Sequence, residues 1–314
     1  MHEIRRPDLE ACLVELRGEI RDPLAGVHGP GSPAWRLNSE QINFLGAGRA
    51  ALLQLAHPPV ARAIAEHSVT LEDVRGRFRR TFSNVFAMTF GDLESAFRAA
   101  RRVHNIHTRI RGELDETAGR YRAGDPYAAN HADSLRWVYA TLVDTVIAVR
   151  RRIGRPLSWA GRERYYRDST RFARLFGLGR EAVPASYRGL CEYFDQCLVD
   201  GTVAVTRAAR DIADSLLVAP SPALEPLAVA YRALTATLLP PALAAAFGLP
   251  RERRHRLAAS ALVAAITAAL GRAPEQLRYL PGYLDAEARV GVRWGAARLF
   301  DRAAARAMPF WPPL

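Results

Sequence analysis

Apolar residues recur along this chain at intervals of three and four positions, the spacing of helices with one buried face. No stretch alternates apolar and polar residues as a half-buried strand does, and no hairpin signals occur. The sequence therefore predicts an all-α protein. The clearest helical line consists of Leu135, Val138, Leu142, Val146 and Val149.

Turn-forming residues divide the chain unevenly. Residues 1–40 are predicted to be an N-terminal extension, a short amphipathic helix followed by a loop rich in glycine and proline, with Trp35 as its anchor. Residues 41–314 are predicted to form a single multi-helix bundle. Proline-rich joints there are short, and neither internal repeats nor a low-complexity tail is present.

Glycine and proline shape the first helices of this bundle. Gly46 and Gly48 permit close helix packing, and His57-Pro58-Pro59 predicts a helix break, because proline disfavours helix in the residue before it. The longest apolar run, Leu257–Leu270, has about fourteen residues. It is too short for a transmembrane segment and predicts a buried helix.

Composition narrows the class of protein. The 314 residues are 49 % hydrophobic and 24 % charged, as in ordinary soluble proteins. The net charge is +12, but all 44 basic residues are arginines spread along the chain, which argues against nucleic-acid binding. Three cysteines argue against a disulfide-stapled domain, and the N-terminus lacks an apolar signal core. We therefore expect a cytoplasmic protein, and a homo-oligomer is left open.

Several enzyme motifs are absent from the sequence. It contains no glycine-rich phosphate loop after a strand, no Gly-x-Ser-x-Gly elbow, and no Cys-x-x-Cys or His-Glu-x-x-His zinc pattern. Repeated Glu-x-x-His pairs of di-iron bundles are also missing. These absences argue against nucleotide-binding enzymes, serine hydrolases and common metal sites.

Two histidines mark the segment of greatest chemical interest. His104 and His107 are three residues apart, so both leave the same side of a helix predicted over 93–111 and ended by Gly112. His107 falls in the predicted buried stripe, where a neutral imidazole could bind iron or zinc. The alternative is a core histidine bonded to a carbonyl group, or a solvated one among arginines. The predicted stripe consists of Val103, Ile106 and Ile110.

Other polar residues interrupt apolar helices. Arg77 and Thr81 are four apart and share one face, with Arg80 beside them. One interpretation places these residues at a cofactor or substrate, and the other leaves the arginines solvated. For His57, His67 and Tyr139, packing or helix-end roles are as good an explanation as a role in a functional site.

Four segments, in order, resemble the family of latex-clearing rubber oxygenases and MpaB-type oxygenases, which are helical proteins carrying one b-type haem. The resemblance spans residues 40–215, and the motif-bearing core is placed at 41–217. The segments are Leu52-Leu-Gln-Leu-Ala-His-Pro58 with His67-Ser68, Arg77-Phe-Arg-Arg-Thr81 with Phe90-Gly91, Val103-His-Asn-Ile-His-Thr-Arg-Ile-Arg-Gly112, and Trp137-Val-Tyr-Ala-Thr-Leu142 preceded by Tyr121-Arg-Ala-Gly-Asp-Pro126.

The resemblance implies roles for individual residues. His107 matches the proximal haem ligand, and His104 matches its companion on the same face. Arg77 and Thr81 match an arginine and a threonine close to the haem and, with Arg80, are the candidate catalytic residues.

Two positions depart from the family pattern. Arg80 stands where rubber oxygenases can place a lysine over the iron, and an arginine stays protonated and is a poor ligand. Tyr139 stands where the family usually has histidine. Tyr139 and His57 complete the predicted cofactor-binding set.

The resemblance therefore implies a helical bundle enclosing a haem pocket. The implied function is a haem b-dependent oxygenase acting with O2 on an apolar, unsaturated small molecule. A haem-binding sensor or carrier without turnover is the first alternative, favoured by Arg80 and Tyr139. A helical structural or regulatory protein that lacks the cofactor is the second.

Overall fold

The structure is a computed structural model that describes residues 2–67 and 83–292. The described chain is predominantly α-helical, which confirms the predicted fold class. Its helices are Arg6–Glu19, Pro33–Asn38, Ala47–Leu55, Pro58–Glu66, Leu93–His107, Ala132–Arg152, Trp159–Arg174, Tyr187–Val199, Arg207–Leu217, Glu225–Leu238, Pro241–Ala246, Arg253–Arg272, Glu275–Arg278 and Pro281–Arg289. Residues 83–90 are also helical, and short 3-10 turns cover Gln41–Gly46, Arg180–Ala182 and Pro222–Leu224.

One small sheet interrupts the helices. Arg111–Glu113 pairs antiparallel with Pro126–Ala128, and Gly112 lies opposite Tyr127. The sequence did not predict this ladder, because strands of three residues are too short to display an alternating pattern. Gly112 therefore lies in a strand and is not the end of the histidine helix.

Ala132–Arg152, which we call the central helix, organises the core. Tyr139 belongs to the first apolar cluster, which the central helix shares with Leu93–His107 and Trp159–Arg174. Trp137 belongs to a second cluster and donates a hydrogen bond from Nε1 to the carbonyl of Leu53 at 2.8 Å. The central helix is therefore buried on more than one side, and the single stripe predicted for it was too narrow.

A buried arginine ties two other helices, Ala47–Leu55 and Glu225–Leu238, to the central helix. Arg49 is 5 % exposed and lies 2.5 Å from a carboxylate oxygen of Asp144. It also donates to Thr145 Oγ1 at 2.9 Å and to the carbonyl of Leu238 at 2.7 Å. All three guanidinium nitrogens of Arg49 thus donate hydrogen bonds that hold helices together.

The N-terminal extension packs against the last described helix. Trp35 is fully buried and contacts Phe90 and Tyr283 edge to face, each with ring centroids 5.7 Å apart. Its predicted role as an anchor is confirmed.

The apolar run near the C-terminus is less buried than predicted. Arg253–Arg272 packs against Glu225–Leu238, but only Ala259 and Val263 of this helix are buried. Leu257 is 62 % exposed. The prediction of a buried helix was wrong, because a run of alanines and leucines does not reveal that only one side has a partner.

No single helix in the described ranges has both the length and the apolar character needed to cross a membrane. Arg207–Leu217 and Pro222–Leu238 pass that test only as a pair, and they are bent by 96° relative to each other.

Close packing at Gly46 supports a test of the fold. A Cβ atom added at Gly46 would lie 2.5 Å from Thr145 Cγ2 and 2.7 Å from Val149 Cγ2, both on the central helix. We expect Gly46→Ala to lower the free energy of unfolding by about 1–3 kcal/mol through overpacking. Urea denaturation measures this loss.

Gly271 offers a matched control. It lies in Arg253–Arg272, and an added Cβ there would meet no atom within 4 Å. Gly271→Ala should leave stability unchanged or raise it by up to about 1 kcal/mol, because alanine is the better helix former. Equal losses at both glycines would contradict the packing argument.

Candidate functional site

Leu93–His107, the histidine helix, separates an apolar face from a basic one. Asp92 caps its start by accepting a hydrogen bond from the Ser95 amide at 2.6 Å. Positions three, four and seven apart are turned inward, which places both histidines on the inward face. The inward residues are Leu93, Ala96, Phe97, Ala99, Ala100, Val103, His104 and His107.

His104 is the more enclosed of the two histidines, with 8 % of its surface exposed. Its carbonyl accepts hydrogen bonds from Thr108 Oγ1 at 2.9 Å and from Asn130 Nδ2 at 3.1 Å. Burial is the largest cause of a lowered pKa for His104. Its imidazole is therefore held in the neutral form, which can act as a metal ligand.

His107 is half-buried and is the last residue of the helix. It continues the inward line of Leu93 and Ala100 at intervals of seven residues. The predicted stripe was wrong in part, because Ile106 is 49 % exposed on the opposite face. Ile110 is buried, but it lies beyond the helix end, so helical spacing does not relate it to His107.

The helix Pro58–Glu66 meets the small sheet that follows the histidine helix. Tyr127 donates its hydroxyl to Glu66 at 2.8 Å, and its ring lies 6.5 Å from that of His67. Burial and this carboxylate raise the pKa of Tyr127. Glu66 and Tyr127 also enclose Gly112, where an added Cβ would lie 3.0 Å or less from both.

His57 lies in a different environment. It is 1 % exposed, and its Nε2 lies 3.0 Å from the Tyr121 hydroxyl. Burial, helped by the charge of Arg120, lowers the pKa of His57 to about 3. The neighbouring Leu55 and Ala56 belong to the second cluster, whereas the histidine helix belongs to the first. The structure thus pairs His57 with a tyrosine whose role no spacing in the sequence indicated.

Tyr139 shares the first cluster with Ala100 of the histidine helix. It is completely buried, and its ring lies 6.4 Å from that of Tyr166. Burial and the neighbouring tyrosine raise the pKa of Tyr139 well above its ordinary value, so the phenol stays protonated. The structure therefore places Tyr139 in the same core as the inward face of the histidine helix.

The three candidate catalytic residues, Arg77, Arg80 and Thr81, lie outside the described residues. Their predicted roles remain predictions. Within the ranges that the structure does describe, no group of three or more histidine, cysteine, aspartate and glutamate side chains could hold a metal ion by itself.

Comparison with known proteins gives one match. A family model described as "ER-bound oxygenase mpaB/B'/Rubber oxygenase, catalytic domain" matches residues 35–268. No curated protein and no solved structure matches the chain. The matched range contains both histidines, the central helix and all the candidate site residues.

Proposed function

The chain belongs to the mpaB/rubber oxygenase catalytic-domain family, and on that premise we propose that it is a haem b-dependent oxygenase. We further propose that it uses O2 to oxidise an apolar, unsaturated small molecule. The observation that carries the proposal is the pair of imidazoles, His104 and His107, on the inward face of one amphipathic helix. A haem needs only one or two axial ligands from the protein.

The described residues fit a haem by their donor chemistry. His104 is held neutral by burial, and His107 presents a second imidazole at the helix end. An axial ligand must offer a ring nitrogen to a large flat group. The partly accessible His107 suits this role better than the enclosed His104, so we assign the iron to His107.

The other residues of the site position this ligand. The hydrogen bonds from Thr108 and Asn130 fix the carbonyl of His104 and hold the last turn of the helix. Apolar side chains of the first cluster, including Ala100 and Tyr139, exclude water from the inward face. When bound, the haem would supply the iron chemistry that activates O2.

The family resemblance supplies the remaining assignments. We propose that Arg77 and Thr81 bind the polar edge of the haem, because an arginine beside a carboxylate forms strong charge-assisted hydrogen bonds. Arg80 keeps its proton and would act as a hydrogen-bond donor instead of an iron ligand.

A second candidate is a haem protein without oxygenase turnover. It is favoured by Tyr139, which is a buried phenol where relatives usually carry an imidazole. A phenol that remains protonated can donate one hydrogen bond but cannot accept a proton near neutral pH.

Spectroscopy and oxygen uptake together test the proposal. Full-length protein reconstituted with haemin should show a stoichiometric Soret band and should consume O2 with squalene, a polyene. Squalane, its saturated counterpart, should give no consumption above the background. A Soret band without uptake would favour the second candidate, and the absence of haem binding would refute both.

A further inference from the structure

The outward face of the histidine helix carries a second feature, unrelated to the inward histidines. A surface cavity of about 450 Å³ lies between this face and the start of Arg6–Glu19. Its size lies within the range of small-molecule sites. Asn105, Ile106 and five arginines line it, and the arginines are Arg6, Arg98, Arg101, Arg102 and Arg109.

One carboxylate, that of Glu10, lies within this group of arginines, and two of them already donate hydrogen bonds to it. Glu10 accepts hydrogen bonds from Arg6 Nε at 2.6 Å and from Arg101 Nε and Nη2 at 2.9 and 2.7 Å. The bond from Arg101 is the largest cause that lowers the pKa of Glu10, to about 2. Glu10 therefore stays ionised and offsets one of the positive charges.

The other three arginines form no ion pair with a described carboxylate, although Arg98 interacts electrostatically with Asp92. Arg98 contacts Ser95 Oγ at 2.8 Å, and Arg102 reaches Asn84 Oδ1 at 3.5 Å. Both partners are neutral. Within the described residues, no carboxylate lies at ion-pair distance from Arg98, Arg102 or Arg109. Glu94 lies on the same helix but pairs with Arg17.

The spacing of these arginines works against the helix itself. Arg98 and Arg102 are four residues apart on the helix, and Arg109 lies just beyond its end at His107. Like charges four apart on a helix repel each other. A bound anion would remove that repulsion. Guanidinium groups recognise phosphate well, since their planar donors bind two oxygens at once.

We propose that this cavity binds the phosphoryl group of a small phosphorylated molecule. Arg98, Arg102 and Arg109 would supply the free guanidinium donors, and Arg6 and Arg101 would be held in place by Glu10. The volume of about 450 Å³ leaves room for a phosphorylated molecule larger than phosphate itself. The phosphoryl group could belong to a soluble ester or to a lipid headgroup, and the test separates these sources.

Inorganic pyrophosphate is the first probe. Titration calorimetry on the full-length protein at about 0.15 M NaCl, where exposed charges are strongly screened, should give saturable binding with one site per chain. Arg102→Ala/Arg109→Ala should raise the dissociation constant at least tenfold. Both residues are exposed, and Arg102 lies on the helix, where alanine is a good helix former, so the fold should be retained, as circular dichroism checks.

The matched control is Arg253→Ala/Arg254→Ala. These residues are also exposed, they begin the helix Arg253–Arg272, and their removal changes the net charge equally. Binding within twofold of the wild type supports a specific site. An equal loss in both double variants, or no saturable binding of either probe, would overturn the proposal.

Vesicles identify the source of the phosphoryl group. If pyrophosphate does not bind but vesicles of phosphatidate in phosphatidylcholine do, and the Arg102/Arg109 variant alone loses that binding, the ligand is a lipid headgroup. Soluble binding without vesicle binding identifies a soluble ester. Neither measurement uses haem, so its outcome is independent of the oxygenase proposal.

Discussion

Replacing His107 by alanine is expected to abolish the Soret band of the reconstituted protein or to shift it to that of loosely held haem. The physical reason is the loss of the one axial ligand that we assign to the iron. His104→Ala should weaken haem binding, because it opens a gap beside the last helical turn, but the position of the Soret band should stay the same. Absorption spectra of the three proteins after identical reconstitution measure both effects.

His255→Ala is the control for this comparison. His255 lies on Arg253–Arg272 and does not belong to the first apolar cluster, which contains the histidine helix. Its replacement should therefore leave the spectrum unchanged. A wild-type spectrum in His107→Ala, combined with a lost band in His104→Ala, would transfer the ligand role to the more buried histidine. Retention of the band in both variants would place the iron elsewhere.

The general architecture could be predicted because helical periodicity is a local property. Proline at 58 and 59 ends one helix at Leu55 and begins the next at Pro58, as the sequence predicted. The small residue at Gly46 predicted a close contact, and Thr145 and Val149 fill the space beside it. In such cases a residue type has one strong physical consequence, which a sequence displays directly.

The features that the sequence did not predict depend on contacts between distant parts of the chain. The histidine helix ends at His107, because the chain then turns to pair Arg111–Glu113 with Pro126–Ala128, which lie beyond a separate loop. The partner strand is not visible within a local window of sequence around the histidine helix.

The candidate site could be predicted only in part for the same reason. Spacing alone placed His104 and His107 on one side, and the structure agrees. It could not rank their burial, because burial depends on contacts with distant parts of the chain, such as Asn130, which bonds the His104 carbonyl from 26 residues away. The partner of His57, Tyr121, is 64 residues away and carries no local signal.

Replacing Glu19 by alanine is expected to cause the largest loss of stability among the substitutions that we propose. Arg174 is 3 % exposed and donates two hydrogen bonds to the Glu19 carboxylate, at 2.6 and 2.7 Å. Glu19→Ala leaves this buried cation uncompensated, because its other carboxylate, Glu15, lies 3.9 Å away and is largely exposed. Stranding a buried charge costs roughly 3–5 kcal/mol, which urea denaturation at pH 7 should detect.

Arg180→Ala is the matched control, since it removes the other arginine that bonds Glu19. Arg180 is 72 % exposed, so its loss should cost less than about 1 kcal/mol. A similar loss in both variants would show that the burial of Arg174 is not what makes the pair important.

Acid adds an independent test of the same pair. The hydrogen bond from Arg174 is the largest cause that lowers the pKa of Glu19 from 4.5 to about 2. The unfolded chain therefore takes up a proton at this residue at a higher pH than the folded chain does. The stability that Glu19 contributes is fully present above about pH 4.5 and is lost as the pH falls through about 2. Glu19→Gln should accordingly lose less stability than the wild type between pH 5 and pH 3. Some dependence of stability on pH will remain in this variant, because the pKa values of Glu10 and Asp168 are also lowered to about 2. An unchanged slope in Glu19→Gln would mean that this carboxylate is equally easy to protonate in the folded and unfolded chains, and the ion pair would then contribute little at any pH.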